Sequence, residues 1–176
     1  MVMLNRIKRV LRHRWLGLFG TRLAISPDLQ LRLQQRVAAS ERRHSGEIRI
    51  CIELTLPPSY LWRDAALPQI TRQRALSMFS KLRVWDTTHN NGVLIYLLLA
   101  ERSIELVADR GLSQVVEPQV WHSLVSRLRA AFQQGQFEAG LTQALAEVSA
   151  LLVERFPRGV GEETNPNELP DAPVLI

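Results

Sequence analysis

Hydrophobic and polar positions divide the chain into stretches of different period. Leu29, Leu33 and Val37 recur at helical spacing behind Ser26-Pro27-Asp28, which reads as an N-cap, a proline in the first turn and an acid at the positive end of a helix reaching about Arg43. After Ser45-Gly46 the period drops to two. Ile48, Ile50, Ile52, Leu54 and Leu56 alternate with Arg49, Cys51, Glu53 and Thr55, a strand with one strongly apolar face that stops at Pro57-Pro58. Ala75, Met78, Phe79 and Leu82 restore helical spacing over about 70–83, with Pro68 blurring the start.

Val93 to Ala100 is almost unbroken apolar sequence, as expected of a central strand covered on both faces. Glu101-Arg102-Ser103 is short enough to turn directly into Ile104 to Asp109, so these two strands form a hairpin. Two helices follow, one carrying Val120, Trp121, Leu124, Val125, Leu128 and Phe132, the other Phe137, Leu141, Leu145, Val148 and Leu152, with Gln134-Gly135-Gln136 between them. The elements predict one compact, soluble α/β domain over residues 26–156. A basic amphipathic leader, 1–25, precedes it, and an acidic Pro/Gly-rich tail, 157–176, follows without the apolar period of an element and is expected to make few contacts.

Charge changes this picture only locally. Arg6, Lys8, Arg9, Arg12, Arg14 and Arg22 meet no acid within residues 1–22, and the rest of the chain holds 16 basic against 17 acidic side chains. The net charge of +5 therefore belongs to the leader, and a whole-surface nucleic-acid footprint is excluded. Interleaved Leu4, Ile7, Leu11, Trp15, Leu16, Leu18 and Phe19 suit a helix that either packs on its own domain or lies on an anionic membrane surface. No stretch has the length of a spanning helix or the apolar core of a signal peptide, which predicts a cytoplasmic protein. Cys51, the single cysteine, sits in the apolar strand and is expected to be buried and inert.

Connectivity gathers polar residues at one end of the sheet. A strand, a helical crossover and a second strand run parallel, and the strand after a hairpin runs back. Three points thus converge: His44, Ser45, Gly46 and Glu47; Asp86 through Gly92; and Asp109, Arg110 and Gly111. Their chemistry is mostly oxygen, from Glu47, Asp86, Asp109, Asn90 and Asn91, and hard cations such as Ca²⁺ or Mg²⁺ choose oxygen ligands. The loop from Asp86 lacks the third-position and twelfth-position ligands of an EF-hand, so a metal would need separate segments. Arg110 and a protonated His44 are alternatively placed to hold a phosphate, with Asp86 or Asp109 working through a metal-bound water or as nucleophile. The structural alternative is that Asp86 and Asn90 close turns and that Asp109 pairs with Arg110. His89 and His122 read as turn and helix-surface residues, His13 as part of the leader, and Trp62, Trp85 and Trp121 as core or loop anchors.

Ser45-Gly46-Glu47-Ile48, the run Val84-Trp85-Asp86-Thr87 through Asn90-Asn91-Gly92-Val93-Leu94-Ile95-Tyr96, and Ile104 through Leu112 together resemble the TPM domain family, as does Gly135-Gln136-Phe137-Glu138-Ala139-Gly140-Leu141. The resemblance covers about residues 27–156 and implies an α/β/α sandwich with a small mixed β-sheet flanked by helices. It implies that Asp86, Asn91-Gly92 and Asp109-Arg110-Gly111 stand at the family's motif positions. Some members are acid phosphatases, notably in the thylakoid lumen, and some bind calcium. Many are anchored by a terminal membrane helix, so this chain resembles a soluble, non-anchored subgroup that shares the Asn167-Glu168-Leu169-Pro170-Asp171 tail. Some relatives are encoded near LemA-type membrane proteins, which implies a LemA-type or other membrane-associated partner.

Three functional readings stay open. The first is a divalent-cation site, Ca²⁺ or Mg²⁺, built from some of Glu47, Asp86, Asn90, Asn91 and Asp109, with no reaction assigned. The second is a metal-assisted phosphomonoesterase using Asp86, Asp109 and Arg110. The third is a non-catalytic scaffold that meets a protein partner or the inner membrane face through its basic leader.

Overall fold

The computed structural model describes residues 2–19, 25–159 and 167–176. Four strands form one mixed sheet in the order β3-β2-β1-β4: β1 Ile48–Glu53, β2 Val93–Leu98, β3 Ser103–Ala108 and β4 Val174–Leu175. β1 and β2 run parallel with Ile48 opposite Val93, and β3 returns antiparallel with Ala108 opposite Val93. Helices cover both faces, giving the α/β/α sandwich. All six residues of β1 and of β2 are buried for that reason.

One face, carrying Ile50, Ile52, Ile95, Leu97 and Ile104, packs under α2 (Pro27–Glu41), α6 (Pro118–Gln133) and α7 (Phe137–Arg155) through Leu33, Val37, Leu128, Phe132, Leu141 and Val148. The second face, with Cys51, Leu94, Tyr96 and Leu98, packs under α3 (Pro58–Leu61) and α4 (Leu67–Lys81) through Leu61, Ile70, Ala75 and Met78. The alternation in β1 is therefore not a division between core and solvent. Glu53 is buried on the second face, where Arg74 of α4 grips it at 2.8 Å with each of two nitrogens and the Tyr96 hydroxyl donates to it at 2.6 Å. Burial and the adjoining Glu53 carboxylate push the Tyr96 hydroxyl well above its ordinary range. Arg49 donates to the carbonyls of Pro170 and Ala172.

Local chemistry sets the helix ends. Ser26 caps α2, accepting from the Leu29 N–H at 3.1 Å. α4 begins earlier than the periodicity suggests because Pro68 falls in its first turn, where a missing N–H breaks no helical bond. Trp62 and Trp85, expected as anchors, are largely exposed.

The two termini hold more structure than composition indicates. α1 (Val2–Phe19) is docked on the domain: His13, 2% exposed, accepts from the Leu56 N–H through Nδ1 at 3.0 Å and bonds Glu101 through Nε2 at 2.8 Å. His13 is thus a buried tether rather than one more basic leader residue. Arg9 donates to the carbonyls of Leu61 and Arg63 at 3.1 and 3.2 Å. The expectation of a tail with few contacts is wrong for residues 167–176: β4 pairs parallel with β1, Cys51 opposite Val174, and Leu169 is buried in the second core. Composition hid this because a two-residue strand has no period, and its pairing partner lies more than a hundred residues away. Arg22, Glu162 and Glu163, and the side chains of Arg6, Leu4, Leu16, Leu18 and Phe19, lie outside the described residues.

Candidate functional site at the strand-start end of the sheet

The three segments expected to converge are hydrogen-bonded to one another. The Val93 N–H donates to the Glu47 carbonyl at 2.8 Å, Asp109 N–H to the Gly92 carbonyl at 2.9 Å, and Gly111 N–H to the Asn90 carbonyl at 2.8 Å. Asn91 reaches back across β1, its Nδ2 donating to the Ser45 carbonyl at 3.2 Å. Asn90 adopts a left-handed φ of 51°, which an asparagine tolerates, and accepts from Arg110 Nε at 3.0 Å through its side chain. Gly92 is required for space rather than turn conformation: a Cβ there would stand 2.0 Å from the Val84 carbonyl oxygen.

The segments carrying Glu47, Asn90, Asn91, Asp109 and Arg110 are joined in this way, Glu47 through its backbone carbonyl, and the Asp86 side chain takes no part. It points to solvent, half exposed, 4.0 Å from Arg83. Asp109 caps the short helix α5 (Arg110–Ser113), accepting from the Arg110 N–H at 2.7 Å, and the expected Asp109–Arg110 ion pair is absent among the described residues. His44 is fully buried, bonding Gly46 through Nδ1 at 3.0 Å and Ser40 through Nε2 at 2.8 Å. Burial lowers its pKa to about 4, so a protonated phosphate-holding His44 is not what this fold provides. His89 and His122 are on the surface as expected.

Sequence reasoning missed the acids that close this end from below. Glu41, in the last turn of α2, accepts from the Ile48 N–H at 2.9 Å and lies beside Glu47 and Asp171. Burial, more than those two neighbours, raises its pKa to about 9, so it holds a proton at neutral pH. The available signal was position: an acid at the negative end of a helix is unfavourable on the surface. The tail seals the arrangement, Leu169 N–H donating to Glu47 at 3.1 Å and Thr88 N–H to Glu168 at 2.8 Å.

Hard oxygens predominate, yet among the described residues no three His, Cys, Asp or Glu side chains are grouped to hold a metal ion. Two buried oxygens, Asn91 Oδ1 and Asp109 Oδ2, have no hydrogen-bond partner among those residues. A cation here would rest on amide, carbonyl and water oxygens beside few carboxylates, a weakly charged donor set.

An α/β/α sandwich with a parallel pair, an antiparallel hairpin and a loop cluster at the strand starts defines the class of the protein. Residues 22–151 match the description of the TPM domain, and the chain belongs to that family. The fold is shared with the BA42 protein of the psychrophilic bacterium Bizionia argentinensis, at a TM-score of 0.73 and 24% identity over 89% of this chain and 98% of that one. It is also similar to the N-terminal domain of a P. gingivalis protein, at a TM-score of 0.55 and 20% identity over 78% of this chain and 84% of that one. No curated protein matches the chain.

Proposed function

We propose that this TPM-domain protein is a binding module seated on an anionic membrane surface through α1. The observation that carries the reading is the row Ile7, Leu11 and Trp15, one helical turn apart and 41%, 60% and 64% exposed, on a helix tied to the domain by Arg9 and His13. Exposed Lys8, Arg12 and Arg14 flank the row. An apolar stripe edged by cations suits a helix lying in the headgroup region, where apolar burial and attraction to anionic lipid add. None of the described helices is long and apolar enough to cross a membrane. Sedimentation with phosphatidylglycerol-containing vesicles tests the proposal. Binding should weaken with salt and fall at least tenfold in Leu11→Glu/Trp15→Glu. Equal binding by that variant, or by neutral vesicles, refutes it.

A second reading, a Ca²⁺ or Mg²⁺ site at the strand-start end, is favoured by the unpartnered Asn91 Oδ1 and Asp109 Oδ2. Glu47, just before β1, is a buried carboxylate at this end, Asn90 is partly engaged by Arg110, and Asp86 would have to swing in from solvent. Calorimetric titration should show weak saturable binding that Asp109→Asn removes. Absence of heat with either metal removes this reading, and with it the metal-assisted phosphomonoesterase using Asp86, Asp109 and Arg110.

A further inference from the structure

A cavity of about 740 Å³ opens between α1 and the first turn of α4, away from the strand-start end. Its charged walls are Lys8, Arg9, Arg12 and Arg63 against Asp64 and Glu101. Glu101 is already taken by Arg12 at 3.1 Å and His13 at 2.8 Å. Arg9 gives its guanidinium to neutral carbonyls, and Arg63 gives its own to the Gln73 amide oxygen and to the Tyr60 ring, 3.8 Å from its centroid. Among the described residues no acid pairs with Lys8, Arg9 or Arg63, so the cavity keeps a surplus of positive charge.

The start of α4 adds to that surplus. Its N-cap is Ala66, which offers no side-chain acceptor, and its first turn contains no acid. Ala66, Leu67 and Gln69 line the cavity, so the positive end of α4 stands beside it without the side-chain cap that a Ser or Asp would supply. Four cations against two acids, one of them Glu101 already engaged by Arg12 and His13, beside the positive end of a helix, match a compact dianion better than a carboxylate or an apolar molecule.

We propose that this cavity binds a phosphate monoester group, carried by a lipid headgroup or by a soluble molecule. The cavity shares Lys8 and Arg12 with the edge of the α1 stripe, but the apolar row Ile7, Leu11 and Trp15 is not part of its lining. Thermal denaturation with inorganic phosphate at about 10 mM, and sedimentation with phosphatidic-acid vesicles, distinguish the two sources. Arg63→Gln, which leaves the cations of α1 in place, should weaken binding several-fold through lost charge. Ala66→Asp is the decisive variant, because it caps α4 and raises the melting temperature of the free protein while placing an anion where the phosphate sits. A phosphate-induced rise in melting temperature that both variants lose supports the soluble source. Loss of vesicle binding in both, with no response to phosphate alone, supports the lipid source. Leu11→Glu/Trp15→Glu should leave the phosphate response unchanged, which separates failure of this site from failure of membrane docking. Binding of either probe unchanged by both variants, or no response to either probe, overturns the proposal.

Discussion

Under α2, α6 and α7 the sheet meets almost pure hydrocarbon, Leu33, Val37, Leu128 and Val148 closing on Ile50, Ile95 and Ile104. Under α4 the same strands bury Glu53, Arg74, Arg49 and the Tyr96 hydroxyl among Leu94, Leu98 and Met78. The first face is specified by volume and the second by pairing. A hydrocarbon contact loses energy in proportion to what is removed, whereas a buried charge that loses its partner keeps its full desolvation cost. The second face is therefore less tolerant of single changes and, if both partners change together, no less stable.

The largest effect should come from breaking the pair. Arg74→Ala leaves Glu53 buried and alone and should cost about 3–5 kcal/mol in denaturant unfolding. Glu53→Leu/Arg74→Met should restore most of that loss, and a double variant as unstable as the single would mean that shape rather than charge governs this face. Tyr96→Phe removes one hydrogen bond to a charged acceptor and should cost about 1.5–3 kcal/mol.

The polar exceptions at the hydrocarbon side titrate in opposite senses. His44, lowered to about 4, withholds a proton that the unfolded chain takes up below its ordinary 6.5, so stability is lost as pH falls through that window. Glu41, raised to about 9, keeps a proton that the unfolded chain releases above its ordinary 4.5, so stability is lost as pH rises toward 9. The two oppose each other at mildly acidic pH, and above it only Glu41 acts. Stability should then fall by as much as about 1.4 kcal/mol per pH unit up to the Glu41 pKa, and Glu41→Gln should flatten the slope. Last in size, Ile95→Val on the hydrocarbon face should cost about 1 kcal/mol, with no pH dependence.

The same contrast explains what sequence conveys. α2, the hairpin and the parallel pair were legible because caps, periods and connectivity are local or follow from chain direction. Convergence at the strand starts followed from topology alone. Which side chains arrive there did not, because Asp86 turns outward on a loop conformation while Glu41 and Asp171 come from elements whose neighbours are set only by tertiary packing. Alternation in β1 showed two kinds of face without showing that α4 supplies Arg74 to neutralise the polar one.

Cys51 lies fully buried in β1 beside the Glu53–Arg74 pair, its thiol pushed up to about 12 by burial. A thiol that is neither ionised nor reachable reacts with a maleimide or disulfide reagent only in molecules that have opened. Being the sole sulfhydryl, it turns alkylation under native conditions into a clock for the opening of the central strand. The rate of that clock gives an opening free energy without added denaturant, and it should quicken most in the Arg74 variant.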